Sequence, residues 1–210
     1  MKKLVQMAVP FVLLMVLVSA VFAQDAPVAG HRIILDPGHG GSDPGTTECP
    51  GLYEKDANLD IAYSLKALLE ANGAVVGMTR TDSTSNPSNT QRANFANSNN
   101  GEVLLSIHLN GSKDHSVDGT IGLWGKRNKD LQFARVMHGV LPGALQVPDQ
   151  GVTNFASGVL LKSDMPATIQ ESVYLSNSTE CTLLKDGTGD RQGQISQALY
   201  NGLANWFATR

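Results

Sequence analysis

The sequence predicts an α/β three-layer sandwich, with a mostly parallel central sheet and helices on both faces. Three observations predict it. Short apolar, β-branched runs recur without polar alternation, as strands buried on both faces require. Between them lie longer segments with apolar residues at helical spacing. The two patterns alternate along the chain, and that order yields a parallel sheet joined by helical crossovers.

Arg32-Ile33-Ile34-Leu35 is the first strand, broken by Asp36-Pro37-Gly38, so His39-Gly40-Gly41-Ser42-Asp43-Pro44-Gly45 must form a loop. From Glu54 the pattern becomes helical through Ile61, Leu65, Leu68 and Leu69, and Asn72-Gly73 stops it. Ala74 to Thr79 reads as the second strand, and a short helix covers Thr90 to Asn97. Val103-Leu104-Leu105-Ser106-Ile107 is the next strand, followed by a candidate at Thr120 to Trp124. Phe133, Val136, Met137 and Val140 mark a helix face. Val159-Leu160-Leu161 and Ala167-Thr168-Ile169 read as two further strands, and Ile195, Ala198, Leu199, Leu203 and Trp206 as the last helix. No internal repeat, low-complexity linker or appended wall-binding module is visible.

At the amino end, Lys2 and Lys3 precede an apolar run from Leu4 to Val18 that ends in Val21-Phe22-Ala23. This is the pattern of a secretory signal peptide, residues 1–23, cut after Ala23. The run is shorter than the ~20 apolar residues a membrane span needs, so no membrane anchor is expected after cleavage. Residues 24–210 are then one exported domain, periplasmic or extracellular, and a monomer is expected. Without Lys2 and Lys3 the chain has 14 basic and 19 acidic residues and no block of like charge, which argues against nucleic acid as a partner. Cys49 and Cys181 make an even pair in an oxidising compartment. A disulfide, two inert thiols and metal ligation by Cys49 are all open from sequence.

In parallel sheets chemistry collects beyond the carboxyl ends of the strands. His39, His108 and Glu171 all fall at such ends, although more than a hundred residues separate the first from the last. A catalytic zinc site needs three protein ligands and an open fourth position, and His39, Glu54 and His108 supply that set. His39 sits among glycines that leave room for a metal and a substrate. Glu54 opens a helix, where a carboxylate suits the dipole, and His108 ends an apolar strand, where an unpaired ring is costly. Each residue alone has a plainer reading, as a hydrogen-bonded ring or a solvated cap. His31, His115 and His138 are read as structural or surface residues.

The segment Ile34-Leu35-Asp36-Pro37-Gly38-His39-Gly40-Gly41, followed by Asp43-Pro44-Gly45, closely resembles the opening signature of the zinc-dependent N-acetylmuramoyl-L-alanine amidases of the Amidase_3 type. Tyr53-Glu54-Lys55-Asp56 with Asn58-Leu59, Thr79-Arg80, Arg92 with Ala96-Asn97, and Ser106-Ile107-His108-Leu109-Asn110 follow in the family's order. Pro166, Ile169-Gln170-Glu171 and Tyr174-Leu175-Ser176-Asn177 are similar to the segment that bears the family's catalytic glutamate.

The resemblance runs from about Ile33 to about Phe207. It implies a six-stranded sheet flanked by helices, Zn2+ held by His39, Glu54 and His108, and Glu171 as the catalytic carboxylate. The implied substrate is peptidoglycan, cut at the amide between N-acetylmuramic acid and L-alanine. Three features depart from the usual pattern: the loop Thr46-Thr47-Glu48-Cys49-Pro50, Leu109 after the second histidine, and the polar residues around Glu171. The short stretch from Asn110 to Thr120 leaves no room for the autoinhibitory helix some relatives carry. A separate activator protein is one route to the substrate for a domain without a targeting module. Two other activities fit the same residues: a zinc-binding, noncatalytic wall module, and a zinc peptidase cutting within the stem peptide.

Overall fold

A computed structural model describes residues 26–210, and the expected signal peptide lies outside the described residues. The described chain folds as β1 (Arg32–Pro37), α1 (Glu54–Ala71), β2 (Val75–Met78), α2 (Asn89–Ser98), β3 (Val103–Asn110), β4 (Thr120–Trp124), α3 (Asp130–His138), α4 (Leu141–Leu145), β5 (Asp149–Asn154), α5 (Gly158–Lys162), β6 (Ala167–Tyr174), α6 (Ser178–Leu184) and α7 (Asp190–Phe207). The six strands form one sheet in the order β2-β1-β3-β6-β4-β5. β2, β1, β3 and β6 pair in parallel, while β4 runs antiparallel to β6 and carries β5 parallel to itself.

The side-chain period of 2 in a strand sorts the sheet's two faces. Ile33, Leu35, Val103, Leu105, Ile107 and Leu109 point to one face, where they pack with α1, α3 and α7 in the larger core, joined by Val173 beyond the irregularity that shifts the β3–β6 register. Ile34, Leu104, Ala167 and Ile169 point to the other, under the smaller cover of α2 and α5. Helix α1 buries Ile61, Leu65 and Leu69 along one stripe and stops at Asn72-Gly73, where Gly73 takes a φ of 83°. A reciprocal pair of bonds between Ser88 and Gln91, a capping box, starts α2.

Two expectations change. Val159-Leu160-Leu161 is no strand: it lies in α5, which buries Val159 and Leu160 and exposes Leu161. A three-residue apolar run has no readable period, so length and composition alone misplace it. The strand that completes the sheet is instead β5, whose Asp-Gln-Gly-Val-Thr-Asn sequence sits on the sheet edge and is largely exposed. In the other case, the helix around Phe133 closes at His138, and Val140 begins the separate short helix α4. Residues 111–119, between β3 and β4, contain no helix.

Candidate metal centre

The cleft opens on the thinly covered face, and its floor follows from strand register. Asp36 on β1 is the partner of Ser106 on β3, and Ser106 of Ile169 on β6. Two residues further along, His108 is the partner of Glu171, which also pairs with Ile121 on β4. Register partners project to the same side, so these residues form rows beneath a cleft of about 700 Å³ that also reaches Asn86, Ser88, Asn89, Phe155 and Val159. His108 and Glu171 lie within their strands, which run on to Asn110 and Tyr174.

His39, Glu54 and His108 converge, with one ligand atom of each within 4.8 Å of the others. Glu54 Oε1 lies 3.1 Å from both His39 Nε2 and His108 Nδ1. Ligands of a tetrahedral ion with bonds of ~2.0–2.1 Å sit about 3.3 Å apart, so the two separations from Glu54 match the spacing a metal ion requires. Its outer partners are also in place. Asp43 Oδ2 is 2.9 Å from His39 Nδ1, on the side of the ring away from Glu54. Glu54 Oε2 accepts the Thr46 N–H at 2.9 Å, and Oε1 accepts from Asn58 Nδ2 and the Leu109 N–H, each at 3.2 Å. Such bonds fix ring tautomer and carboxylate orientation before any ion arrives.

Two glycines make the approach sterically feasible. A Cβ on Gly38 would collide with the His108 ring, and one on Gly45, at a φ of 68°, with the Glu54 carboxylate and His39. His39 itself takes a φ of 61°, unusual for a residue with a side chain.

The electrostatics are those of a ligand set. Burial opposes charge on Glu54, but its bonds to and the charges of His108 and His39 outweigh this and hold its carboxyl well below the usual range. Burial likewise pulls the His39 ring down, while Glu54 and Asp43 raise it to about 9. His108 is raised as well, against its burial, by its bond to Glu54 and by the charges of Glu171 and Glu54. Two rings with this avidity for protons beside an ionised carboxylate offer a divalent cation three good donors. Glu171 behaves oppositely: burial pushes its carboxyl up to about 7, and its Oε2 is buried with no hydrogen-bond partner.

The remaining histidines lie outside this cluster. His31 faces Glu102 at 2.8 Å and stacks on Phe207, His138 Nε2 is 2.7 Å from Asp149, and His115 is near Glu48 at the surface. Cys49 is not a ligand but is bonded to Cys181, which ties the loop preceding Glu54 to α6. Asp43, Asn58 and Phe155 enter the site without a role having been assigned from sequence. The first two stood within recognised motifs; Phe155, exposed on the cleft wall, carried no signal at all.

The family model described as N-acetylmuramoyl-L-alanine amidase matches residues 33–205, which take in the sheet from its second residue onward and all four candidate residues. The chain belongs to the Amidase_3 family. It is similar to the N-acetylmuramoyl-L-alanine amidase LytC of Bacillus subtilis, at 30% identity over 86% of this chain and 36% of LytC. The chain thus spans about a third of that relative's length. Its fold matches the catalytic domain of the amidase CwlV from Bacillus (Paenibacillus) polymyxa var. colistinus, with a TM-score of 0.79 at 29% identity over 86% of this chain and 99% of that one. It also matches the CwlD amidase of Clostridioides difficile, solved in complex with the GerS lipoprotein, with a TM-score of 0.75 at 28% identity over 86% of this chain and all of that one. Both structural matches cover all or nearly all of the matched chain.

Proposed function

We propose that residues 24–210 are an exported zinc-dependent amidase that hydrolyses peptidoglycan between N-acetylmuramic acid and the L-alanine of the stem peptide, with residues 1–23 as the export signal. The observation that carries the reading is the pairing of a converged His39, Glu54 and His108 set with an unpartnered buried Glu171 oxygen in the same cleft. A structural metal site closes its coordination with a fourth protein ligand and has no use for a free carboxyl beside it. The Amidase_3 membership and the similarity to LytC and CwlV support the choice of substrate.

Zinc bound by the three residues would supply a Lewis acid for the amide carbonyl and a source of hydroxide near neutral pH. The chain's own residues do the rest. Asp43 and Asn58 hold the His39 ring and the Glu54 carboxylate in their donor orientations. Glu171, displaced to about 7 by burial, takes a proton from the attacking water and returns it to the departing amine nitrogen. The cleft is lined by apolar Ile121, Leu123, Val159 and Phe155 and by polar Asn86, Ser88 and Asn89, so a substrate carrying both methyl and amide groups meets both kinds of contact in it. A protein partner, as CwlD has in GerS, is part of the proposal as the means of reaching the wall.

The test is metal analysis of the purified exported chain, with mass spectrometry of what it releases from sacculi. About one zinc per chain and intact stem peptides with a new L-alanine amino terminus are expected. Fragments cut inside the stem would make it a peptidase. Sacculus binding without new amino termini would make it a noncatalytic module, and chelator-insensitive cleavage would remove the metal from the mechanism.

A further inference from the structure

Two buried arginines hold the backbone from which His39 projects, and we propose that Arg92, together with Arg80, is a positioning residue for the metal centre. The proposal rests on the reading of His39, Glu54 and His108 as ligands, and it identifies what keeps the first of them in place.

Where β1 ends, the carbonyls of Pro37, Gly38 and His39 turn away from the sheet and need donors, because buried backbone acceptors are rarely left unpaired. Two guanidinium groups supply them. Arg80 donates from Nε to Pro37 at 2.9 Å and from Nη2 to Gly38 at 2.8 Å. Arg92 donates from Nη1 to Pro37 and from Nη2 to His39, both at 2.8 Å. The same groups tie this loop to its surroundings. Arg80 Nη2 also reaches the Lys55 carbonyl at 2.7 Å, in the first turn of the helix that carries Glu54. Arg92 Nε reaches Pro87 just before α2, and Nη1 reaches Asp36 Oδ1, each at 2.8 Å. Asp36 in turn accepts from Thr79 and from Ser106, two residues before His108. One network thus connects the backbone of His39 to the elements bearing the other two ligands.

His39 needs such a restraint. Its φ of 61° costs a residue with a side chain on the order of 1–3 kcal/mol, a conformation that persists only when its surroundings over-determine it. Both arginines are almost completely buried, at 3% and 4% exposure, so their bonds compete little with water.

The competing role for Arg92 is an anion reader, because among the described residues it is the one arginine or lysine lining the cleft. Its donors argue against that. Of the five N–H groups of a guanidinium, four are taken by Pro87, Asp36, Pro37 and His39. A carboxylate held in a bidentate fork needs two parallel free donors, and one remains. Lysine could not replace it, since a single ammonium on a flexible stem cannot span Asp36, Pro37, Pro87 and His39 at once.

The experiment compares the wild-type exported chain with Arg92→Lys and Arg80→Lys. Zinc affinity is measured by chelator competition, the visible bands after cobalt substitution report ligand geometry, and kcat and KM are taken at saturating zinc. Outer partners of metal ligands typically contribute 10- to 100-fold in affinity, so a loss in that range with shifted cobalt bands and KM within about twofold is expected for both variants. Zinc affinity equal to wild type overturns the proposal, as does a raised KM with unchanged affinity, which would make Arg92 a substrate reader. If Arg92→Lys fails to fold, Arg80→Lys, which leaves the Asp36–Arg92 pair intact, decides by the same criteria. A wild-type chain that takes up no zinc overturns the metal reading itself; variants matching a zinc-binding wild type overturn the positioning role alone.

Discussion

Glu171→Gln separates the chemical use of this carboxyl from its cost to the fold. Burial pushes Glu171 from 4.5 to about 7, against the charges of His108 and His39 and with Glu54 adding to the rise. That displacement corresponds to about 3 kcal/mol against the ionised form.

The sign follows from which state holds the proton. Below 4.5 the folded and unfolded chains are both protonated at Glu171, and its burial as a neutral acid carries no charge penalty. Between 4.5 and about 7 the unfolded chain releases the proton while the folded chain keeps it, so stability falls as pH rises. Above about 7 the full cost is present. Glutamine never ionises. In metal-free protein, the stability of Glu171→Gln relative to wild type should therefore grow by about 3 kcal/mol between pH 4 and 8, read by urea unfolding at each pH. Any packing cost of the amide is the same at both ends and cancels. In the zinc-loaded protein the same variant should keep its metal yet lose about 10² to 10⁴ in turnover. A stability difference that is flat with pH refutes the raised carboxyl, and unchanged turnover refutes the acid–base role.

Two further outcomes are expected. Cys49 and Cys181 close a loop spanning 132 residues, for which chain entropy gives a ceiling of about 5 kcal/mol, so replacing both by alanine should cost roughly 2–5 kcal/mol in urea unfolding; a loss under ~1 kcal/mol would mean that the bridge constrains little. Phe155 is half exposed on the apolar wall of the cleft, so Phe155→Ala should leave stability within about 0.5 kcal/mol and raise KM for peptidoglycan fragments about fivefold, the equivalent of ~1 kcal/mol of lost aromatic contact. An unchanged KM would remove Phe155 from the substrate's path.

The metal cluster was legible because its residues interrupt apolar patterns at fixed places: a glycine-flanked histidine after β1, a glutamate opening α1, and a histidine in β3. Polar side chains at such positions need a reason, and convergence on one rim supplies it. The far side of the cleft was not legible. β5 is polar and lies at the sheet edge, so no buried face imprinted a period on it. Its turn into α5 carries Phe155, and α5 is a single turn of helix whose apolar residues read equally well as a strand. The arginine network was visible only as motif residues, because a bond from Arg92 to a carbonyl 53 residues away leaves no trace in local spacing.

One signal in β3 was stronger than a simple apolar run. Val103-Leu104-Leu105 is continuous, but from Ser106 onward the strand alternates: Ser106, His108 and Asn110 against Ile107 and Leu109. The change marks where cover on one face ends. Leu104 lies under the smaller helical layer, whereas Ser106, His108 and Asn110, on the same side, line the cleft. β1 makes the same transition from Ile34 to Asp36, while on β6 the cleft-side residues pass from Ala167 and Ile169 to Glu171 although Thr168, Gln170 and Ser172 keep the opposite face polar. A parallel strand that turns from continuous to alternating apolar character therefore locates the edge of its helical cover, and with it the residues free to face a ligand. This switch in period places Asp36 and His108 on one face by backbone geometry alone, without regard to whether histidine is thought of as a ligand, and the register of β3 on β6 sets Glu171 beside His108.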